Sequence, residues 1–95
     1  VVLASEIDII DISLGGIHFT CTKRILTNSK CVINLKHGNR IMAFSGNVVR
    51  SIFKGTKTSG TENMPLYEVA MEFTRLSDDR IDFLKALIDS LDEKT

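Results

Sequence analysis

The sequence predicts a small, mainly β domain that is closed by one amphipathic helix at its C-terminal end. Two observations support this fold class. Short segments of β-branched and alternating apolar residues, separated by turn-forming residues, fill most of positions 6–73. After position 77 the apolar spacing changes to that of a helix, over about 78–92. Ninety-five residues without internal repeats predict a single domain over 1–95.

Five or six short strands are expected before the helix. The β-branched run over 6–12 predicts the first strand, and alternation of apolar and polar residues predicts strands over 17–21 and 31–36. Gly38 and Asn39 form a hairpin signal, because both residues tolerate the positive φ angles of a tight turn. Such a series of strands with turns between them is typical of a barrel or a sandwich.

The rest of the β region predicts two longer strands and a loop between them. An apolar strand is expected over 40–54, with Gly46 marking a bulge or a bend. Residues 55–65 are mostly small and polar, and we expect them to form a long, mobile loop. Residues 66–73 alternate and predict the last strand. Four aromatic residues of the apolar strands are expected to lie in the core: Phe19, Phe44, Phe53 and Phe73.

The last element has the signals of a helix start. Ser77 is a favoured N-cap residue, and Asp78 and Asp79 suit the positive end of the helix dipole. The helix is expected to cover an open end of the barrel with one apolar stripe. Four residues at helical spacing form this stripe: Ile81, Leu84, Ile88 and Leu91.

The cysteines and histidines do not predict a metal site. Cys21 and Cys31 form no C-x-x-C pair, and His18 and Cys21, three positions apart in a strand, would lie on opposite faces. Because His37 is the only other histidine, a four-ligand zinc site is not expected. Both cysteines are predicted to be buried as small apolar residues, and no metal or cofactor is expected.

The charged residues are segregated along the chain although the formal net charge is zero. Between Ile12 and Thr61 there are eight basic residues and no acidic one, whereas the segments before and after this block are predominantly acidic. A block of one sign indicates a face that attracts an anion. The alternative is a solvated sheet surface beside an acidic helix, and the sequence leaves both open.

Composition also bears on the class of protein. No apolar run approaches the roughly 20 residues of a membrane helix, and the first residues lack the basic start of a signal peptide, so we expect a cytoplasmic protein without membrane insertion. A nucleic-acid polymer is not an expected partner, because the aromatic residues that would stack on bases are expected in the core. Enzyme activity is not expected either, since Ser13 lacks the G-x-S-x-G context and neither histidine has a recognisable nucleophile partner.

The segment Asp11-x-Ser13-x-x-Gly16, between the first two strands, is the strongest functional signal. It would place a carboxylate, a hydroxyl and accessible backbone at one rim of the sheet, where Gly15 and Gly16 let a ligand approach closely. A carboxylate can accept two hydrogen bonds from the Watson–Crick edge of guanine, and a serine can donate or accept. The alternative is a turn without a ligand, because these residue types also favour turns.

Three segments in order resemble the PilZ family. The segment 11–19 contains the family signature D/N-x-S-x-x-G, the segment 46–50 is similar to a later strand, and the segment 67–77 is similar to the last strand and helix entry, with Ala70 where glycine is more usual. The resemblance covers about residues 7–91. It implies a six-stranded antiparallel β-barrel with a C-terminal helix that binds cyclic di-GMP, a bacterial second messenger.

In that family an R-x-x-x-R segment before the barrel grips phosphate and base, while the signature residues contact guanine. The resemblance therefore implies ligand contacts at Asp11, Ser13, Gly15 and Gly16. No arginine precedes Asp11 in this sequence. Either the chain is a piece of a longer protein, or it is a degenerate adaptor, or another basic residue substitutes. The candidates for phosphate contact by substitution are Lys23, Arg24 and Arg50.

Two functions follow as hypotheses. The first is a cytoplasmic, bacterial signalling module that binds cyclic di-GMP and passes nucleotide occupancy to a protein partner or a neighbouring domain. The second is a PilZ-like adaptor that binds protein and no nucleotide. Without the arginine segment, binding of the nucleotide by these residues is expected to be weak, because charged hydrogen bonds contribute about 1.5–3 kcal/mol each.

Overall fold

The structure, a computed structural model, describes residues 2–3 and 7–92. It confirms the mainly β class, since five antiparallel strands form one open sheet and one helix follows them. A further strand of two residues joins one edge of the sheet in parallel orientation. The elements in chain order are β1 (Val2–Leu3), β2 (Asp8–Ile12), β3 (Gly16–Cys21), β4 (Lys30–His37), β5 (Arg40–Ser59), β6 (Glu62–Phe73) and α1 (Asp78–Asp92).

The expected six-stranded antiparallel barrel is not confirmed. The strand order is β1-β4-β5-β6-β3-β2, so β1 and β2 are the two edges, and among the described residues no ladder joins them. Closing a barrel requires its edge strands to pair along their length. As described, β1 spans two residues and pairs with β4, and no pairing with β2 is seen within residues 2–3 and 7–92.

The long hairpin of β5 and β6 replaces the loop expected over 55–65, and that prediction was wrong. The two strands pair from Gly46 with Phe73 outwards to Ser59 with Glu62, leaving a two-residue turn at Gly60 and Thr61. Gly60 has φ of 63°, a conformation that glycine adopts without strain. Alternating threonines and this Ser-Gly-Thr turn are compatible with a hairpin as well as with a loop.

The core lies between one face of the sheet and α1. The alternating residues of β3, β4 and β6 are buried as predicted, including both cysteines. Burial raises the pKa of both thiols, which keeps them protonated and unreactive. Phe19 and Phe44 are fully buried and Phe73 is partly buried against Phe44, so three of the four expected aromatic residues contribute to the core.

Phe53 was wrongly predicted to be a core residue, and it is 59% exposed. β4 pairs with β5 only as far as Asn47, so β5 extends past the core before it reaches Phe53. The Phe53 ring contacts Tyr67 on β6, with 5.7 Å between the ring centroids. Gly46 was expected at a bulge, but the register shifts lie farther along β5, between Val48 and Arg50 and between Phe53 and Gly55.

The helix has the predicted bounds and lies across the open sheet. The Arg80 amide donates to Ser77 Oγ at 3.4 Å, as expected of an N-cap. The buried side of α1 is centred on Phe83, Leu84 and Leu87, so the predicted stripe included only one of its three most buried residues. Within the described residues there is no helix with the length and apolar content to cross a bilayer.

Candidate functional site

The turn between β2 and β3 is organised by short hydrogen bonds within the signature segment. The Ser13 amide donates to the Gly16 carbonyl at 2.9 Å, and the Gly15 amide donates to Ser13 Oγ at 3.3 Å. The Phe73 amide donates to the Gly15 carbonyl at 3.0 Å and ties the turn to the end of β6. The turn is therefore held against β6 by backbone contacts.

Glycine is required at position 16 because β6 passes very close to the backbone there. A Cβ atom added to Gly16 would collide with the Met71 carbonyl oxygen. The same atom added to Gly15 would have its nearest neighbour, Ser13 Oγ, at an ordinary 3.8 Å. Packing against β6 therefore accounts for one of the two glycines, and Gly15 lies at the accessible side of the turn.

An open depression of about 440 Å³ lies beside this turn. The predicted ligand residues Asp11, Ser13, Gly15 and Gly16 all line it. One Asp11 oxygen accepts from the Ile12 amide at 2.9 Å, and Oδ2 has no hydrogen-bond partner among the described residues. The other polar and apolar walls come from β3, β5 and β6, through Ile17, His18, Val49, Ala70, Met71, Glu72 and Phe73.

Strand register places the turn and the nearest cations in one row across the sheet. Asp11 on β2 pairs with His18 on β3, His18 pairs with Ala70 on β6, and Ala70 pairs with Arg50 on β5. At about 4.8 Å between strands, the backbones of Asp11 and Arg50 lie roughly 14 Å apart. The row lies on the outer face, because His18 and Ala70 alternate with residues that point into the core.

Glu68 brings three basic side chains together next to this row. Its Oε1 lies 2.7 Å from His18 Nε2 and its Oε2 lies 3.3 Å from Lys54 Nζ. Arg50 Nη2 is farther away, at 3.8 Å from Oε1. Partial desolvation would raise the pKa of the Glu68 carboxyl, but hydrogen bonds and positive charge from Lys54 and His18 outweigh it and lower the pKa from its usual 4.5. Glu68 is therefore ionised at neutral pH.

The His18 ring depends on Glu68 for a polar partner. Nε2 is shielded from solvent and has no other hydrogen-bond partner in the described part of the chain. Because His18 also lines the depression, a bound anion would interact with the same imidazole.

The three predicted phosphate contacts are not brought together. Arg50 lies in the row that begins at Asp11, but it is not among the lining residues of the depression. Lys23 and Arg24 follow the far end of β3, where the Lys23 carbonyl accepts from Cys21 Sγ at 3.2 Å. Since β3 has six residues, its two ends are roughly 17 Å apart at about 3.3 Å per residue.

Several residues of the site were missed by sequence reasoning. His18, Val49 and Glu72 line the depression, and Glu68 organises the cations beside it. The alternation of 66–73 already placed Glu68 and Glu72 on the polar face of β6. It could not show that this face aligns with Asp11, because the register depends on a bulge in β2 between Ile9 and Asp11.

The arrangement combines hydrogen-bond acceptors at one end with cations at the other. Asp11 and Glu72 provide carboxylates within the depression, His18 provides an imidazole, and Arg50 provides positive charge farther towards β5. Such a surface can hold a ligand that has N–H donors on one side and an anionic group on the other. No group of three or more potential metal ligands is present within residues 2–3 and 7–92.

Comparison of the chain with protein-family models, with curated proteins and with solved structures found no match.

Proposed function

We propose that this chain is a regulatory module that binds cyclic di-GMP and passes nucleotide occupancy to a partner, in a bacterial cytoplasm. The observation that carries the proposal is the shared depression of Asp11, Ser13, Gly15 and Gly16. Three of them, Asp11, Ser13 and Gly16, also carry the resemblance to the PilZ signature. The module is proposed to act by binding alone, without catalysis or a cofactor.

The guanine end of the ligand is assigned to the turn. Guanine presents an N1 proton and an exocyclic amine, both donors, which suit the Asp11 carboxylate and the acceptor side of Ser13. Val49 and Phe73 supply apolar surface for the base plane, and Gly15 leaves backbone accessible. The volume of about 440 Å³ lies within the roughly 300–1,000 Å³ of typical ligand pockets.

The phosphate end is assigned to the side of the depression nearest β5. A phosphate beside Asp11 and Glu72 would be repelled, whereas His18 and Arg50 lie one and three strands away from Asp11 along the same row. Arg50 is already shared with Glu68, at 3.8 Å, so its contribution to phosphate binding is limited.

Isothermal titration calorimetry with cyclic di-GMP, with cyclic di-AMP as the nucleotide control, tests the proposal. Replacing Asp11 with Asn removes the charge but keeps the shape, and should weaken binding by roughly 10- to 150-fold, the equivalent of about 1.5–3 kcal/mol for a charged hydrogen bond. The matched control is D82N on the exposed side of α1, which should bind as the unmodified chain does.

The second candidate is a PilZ-like adaptor that binds protein and no nucleotide. The observation that favours it is that none of Lys23, Arg24 and Arg50 is among the lining residues of the depression. In this case neither nucleotide releases heat at millimolar concentrations, and D11N behaves as the unmodified chain does. Equal affinity for the two nucleotides would also contradict the guanine assignment, because adenine offers a different pattern of donors and acceptors.

A further inference from the structure

The outer half of β5 has one edge without a strand partner. β4 pairs with β5 as far as Asn47, and the loop before β4 continues the pairing for one residue, through hydrogen bonds of Val48 with Asn28 and Ser29. From residue 49 to residue 59, no described backbone group lies against this edge, although β6 pairs along the other. This gives eleven residues of extended backbone with one open side.

Apolar side chains are exposed along the same stretch. Val49, Ile52 and Phe53 are 46%, 41% and 59% exposed. Ile52 pairs with Glu68 on the outer face, whereas Phe53 pairs with Tyr67 on the face that carries the core. A strand added at this edge would bring side chains against both faces, and would cover Ile52 and Phe53 at the same time.

The charges along the free edge of β5 indicate which kind of strand would bind there. The border of the edge, residues 49–59, contains no acidic residue and three basic ones: Arg50, Lys54 and Lys57. The single charge of Glu68 is shared by His18, Arg50 and Lys54, and Lys57 has only a distant exposed partner in Asp8, at 3.9 Å. The border of the edge therefore keeps an excess of positive charge.

We propose that the free edge of β5, residues 49–59, is a docking site for an extended acidic polypeptide segment that adds to the sheet as a further strand. Backbone hydrogen bonds would supply affinity, and the basic border would supply selectivity. A second copy of this chain fits less well. If two β5 edges paired, the basic side chains of one copy would lie against the basic side chains of the other. Lysines at an edge also disfavour self-pairing, because like charges meet between the two copies.

Fluorescence anisotropy with labelled peptides tests the site on the whole chain. The probe is an extended peptide of roughly twelve alternating Glu and Val residues, compared with the same peptide carrying Lys for Glu. We expect the acidic peptide to bind about tenfold more tightly or better, and methylation of its alternate backbone amides to abolish binding. Hydrogen exchange should slow at amides within 49–59 when the acidic peptide is bound.

Charge reversal at K57E should weaken binding of the acidic peptide by about tenfold, whereas K85E, on the exposed side of α1, should not. The proposal is overturned if the methylated peptide binds equally well, which would indicate charge attraction alone. It is also overturned if a single-stranded oligonucleotide competes better than the peptide, or if light scattering shows a dimer whose β5 amides are already protected. None of these outcomes depends on nucleotide binding, so the tests of the two proposals remain separate.

Discussion

Gly15 and Gly16 are neighbours in one turn, yet packing constrains only the second. The Met71 carbonyl occupies the space where a Cβ atom of residue 16 would lie, and that carbonyl belongs to the backbone of β6. The obstacle cannot rotate away as a flexible side chain could. At residue 15 the same atom meets only Ser13 Oγ at contact distance. Gly16 is therefore required by the packing of the fold, whereas any role of Gly15 would concern a ligand.

We therefore expect G16A to destabilise the fold and G15A to leave it nearly unchanged. Overpacking against a fixed backbone costs about 1–3 kcal/mol, so the free energy of unfolding of G16A should fall by that amount. G15A is the matched control, with an expected change within about 0.5 kcal/mol. Urea denaturation of both variants measures the difference. Equal stability of the two would contradict the close approach of β6 to Gly16.

Glu68 gives the sheet a dependence on acid. Its pKa is lower in the folded chain than its usual 4.5, so the unfolded state binds more protons than the native state as the pH falls through this range. The stabilisation is present above about pH 4.5 and is lost as the pH falls through the lower folded value. E68Q should lack this part of the acid-induced loss of stability, as measured by thermal unfolding between pH 3 and 7.

Glu62 provides the control for this pH dependence. It is exposed near the tip of the β5–β6 hairpin, and the structure shows no ion pair for it among the described residues. E62Q should therefore follow the unmodified chain as the pH falls. If E68Q keeps the full acid dependence, the contacts of Glu68 with His18 and Lys54 do not stabilise the folded sheet.

At the scale of the elements, β5 is a strand with two different halves. Its first half, from Arg40 to Asn47, pairs with β4, whereas its second half pairs only with β6. The outer part of the hairpin therefore extends beyond the core as a two-stranded arm, which is marginally stable on its own in water. Its stability depends on the continuous ladder that joins it to the central sheet.

The two phenylalanines of β5, one in each half of the strand, differ in burial. Phe44 is fully buried against Phe73 and Phe83, so F44A should lower the free energy of unfolding by about 3–5 kcal/mol. Phe53 is mostly exposed, and F53A should cost less than about 1 kcal/mol. Chemical denaturation of both variants measures the contrast. A large loss in F53A would indicate that the outer half of β5 is part of the core.

The elements also show where the sequence was informative. Alternation predicted the inward residues of β3, β4 and β6, and the N-cap and acidic first turn predicted the bounds of α1. The tip of the hairpin was not predictable, because threonine, serine and glycine suit a loop as well as an exposed strand. The exposure of Phe53 was not predictable either. It arises because β4, a separate segment of the chain, pairs with β5 only as far as Asn47.

At the scale of the whole molecule, the sheet and helix bring distant segments into one surface. The sequence identified the signature turn, but the contributions of β3, β5 and β6 to the depression depend on strand order and on bulges, which a local pattern does not encode. The same bulges leave Arg50 in the row with Asp11, whereas Lys23 and Arg24 lie at the far end of β3. The segregated charges of the sequence therefore end up as separate basic areas.

The openness of the sheet between β1 and β2 also matters for the proposed function. The helix α1 lies beside β2, where Ile88 and Leu91 border a hollow with Ile9 and Ile12. A ligand held at the turn after β2 would therefore lie close to the edge that α1 covers. Under the proposed function, nucleotide occupancy would reach the helix through the position of β2.

The most direct test of the proposed nucleotide site is an NMR titration of the ¹⁵N-labelled chain with cyclic di-GMP, with amide shifts followed residue by residue. We expect the largest shift changes at 11–18, 49–50 and 70–73, which form one surface although they are far apart in sequence. Shift changes confined to α1 or to the hairpin tip, or no changes at millimolar nucleotide, would contradict it.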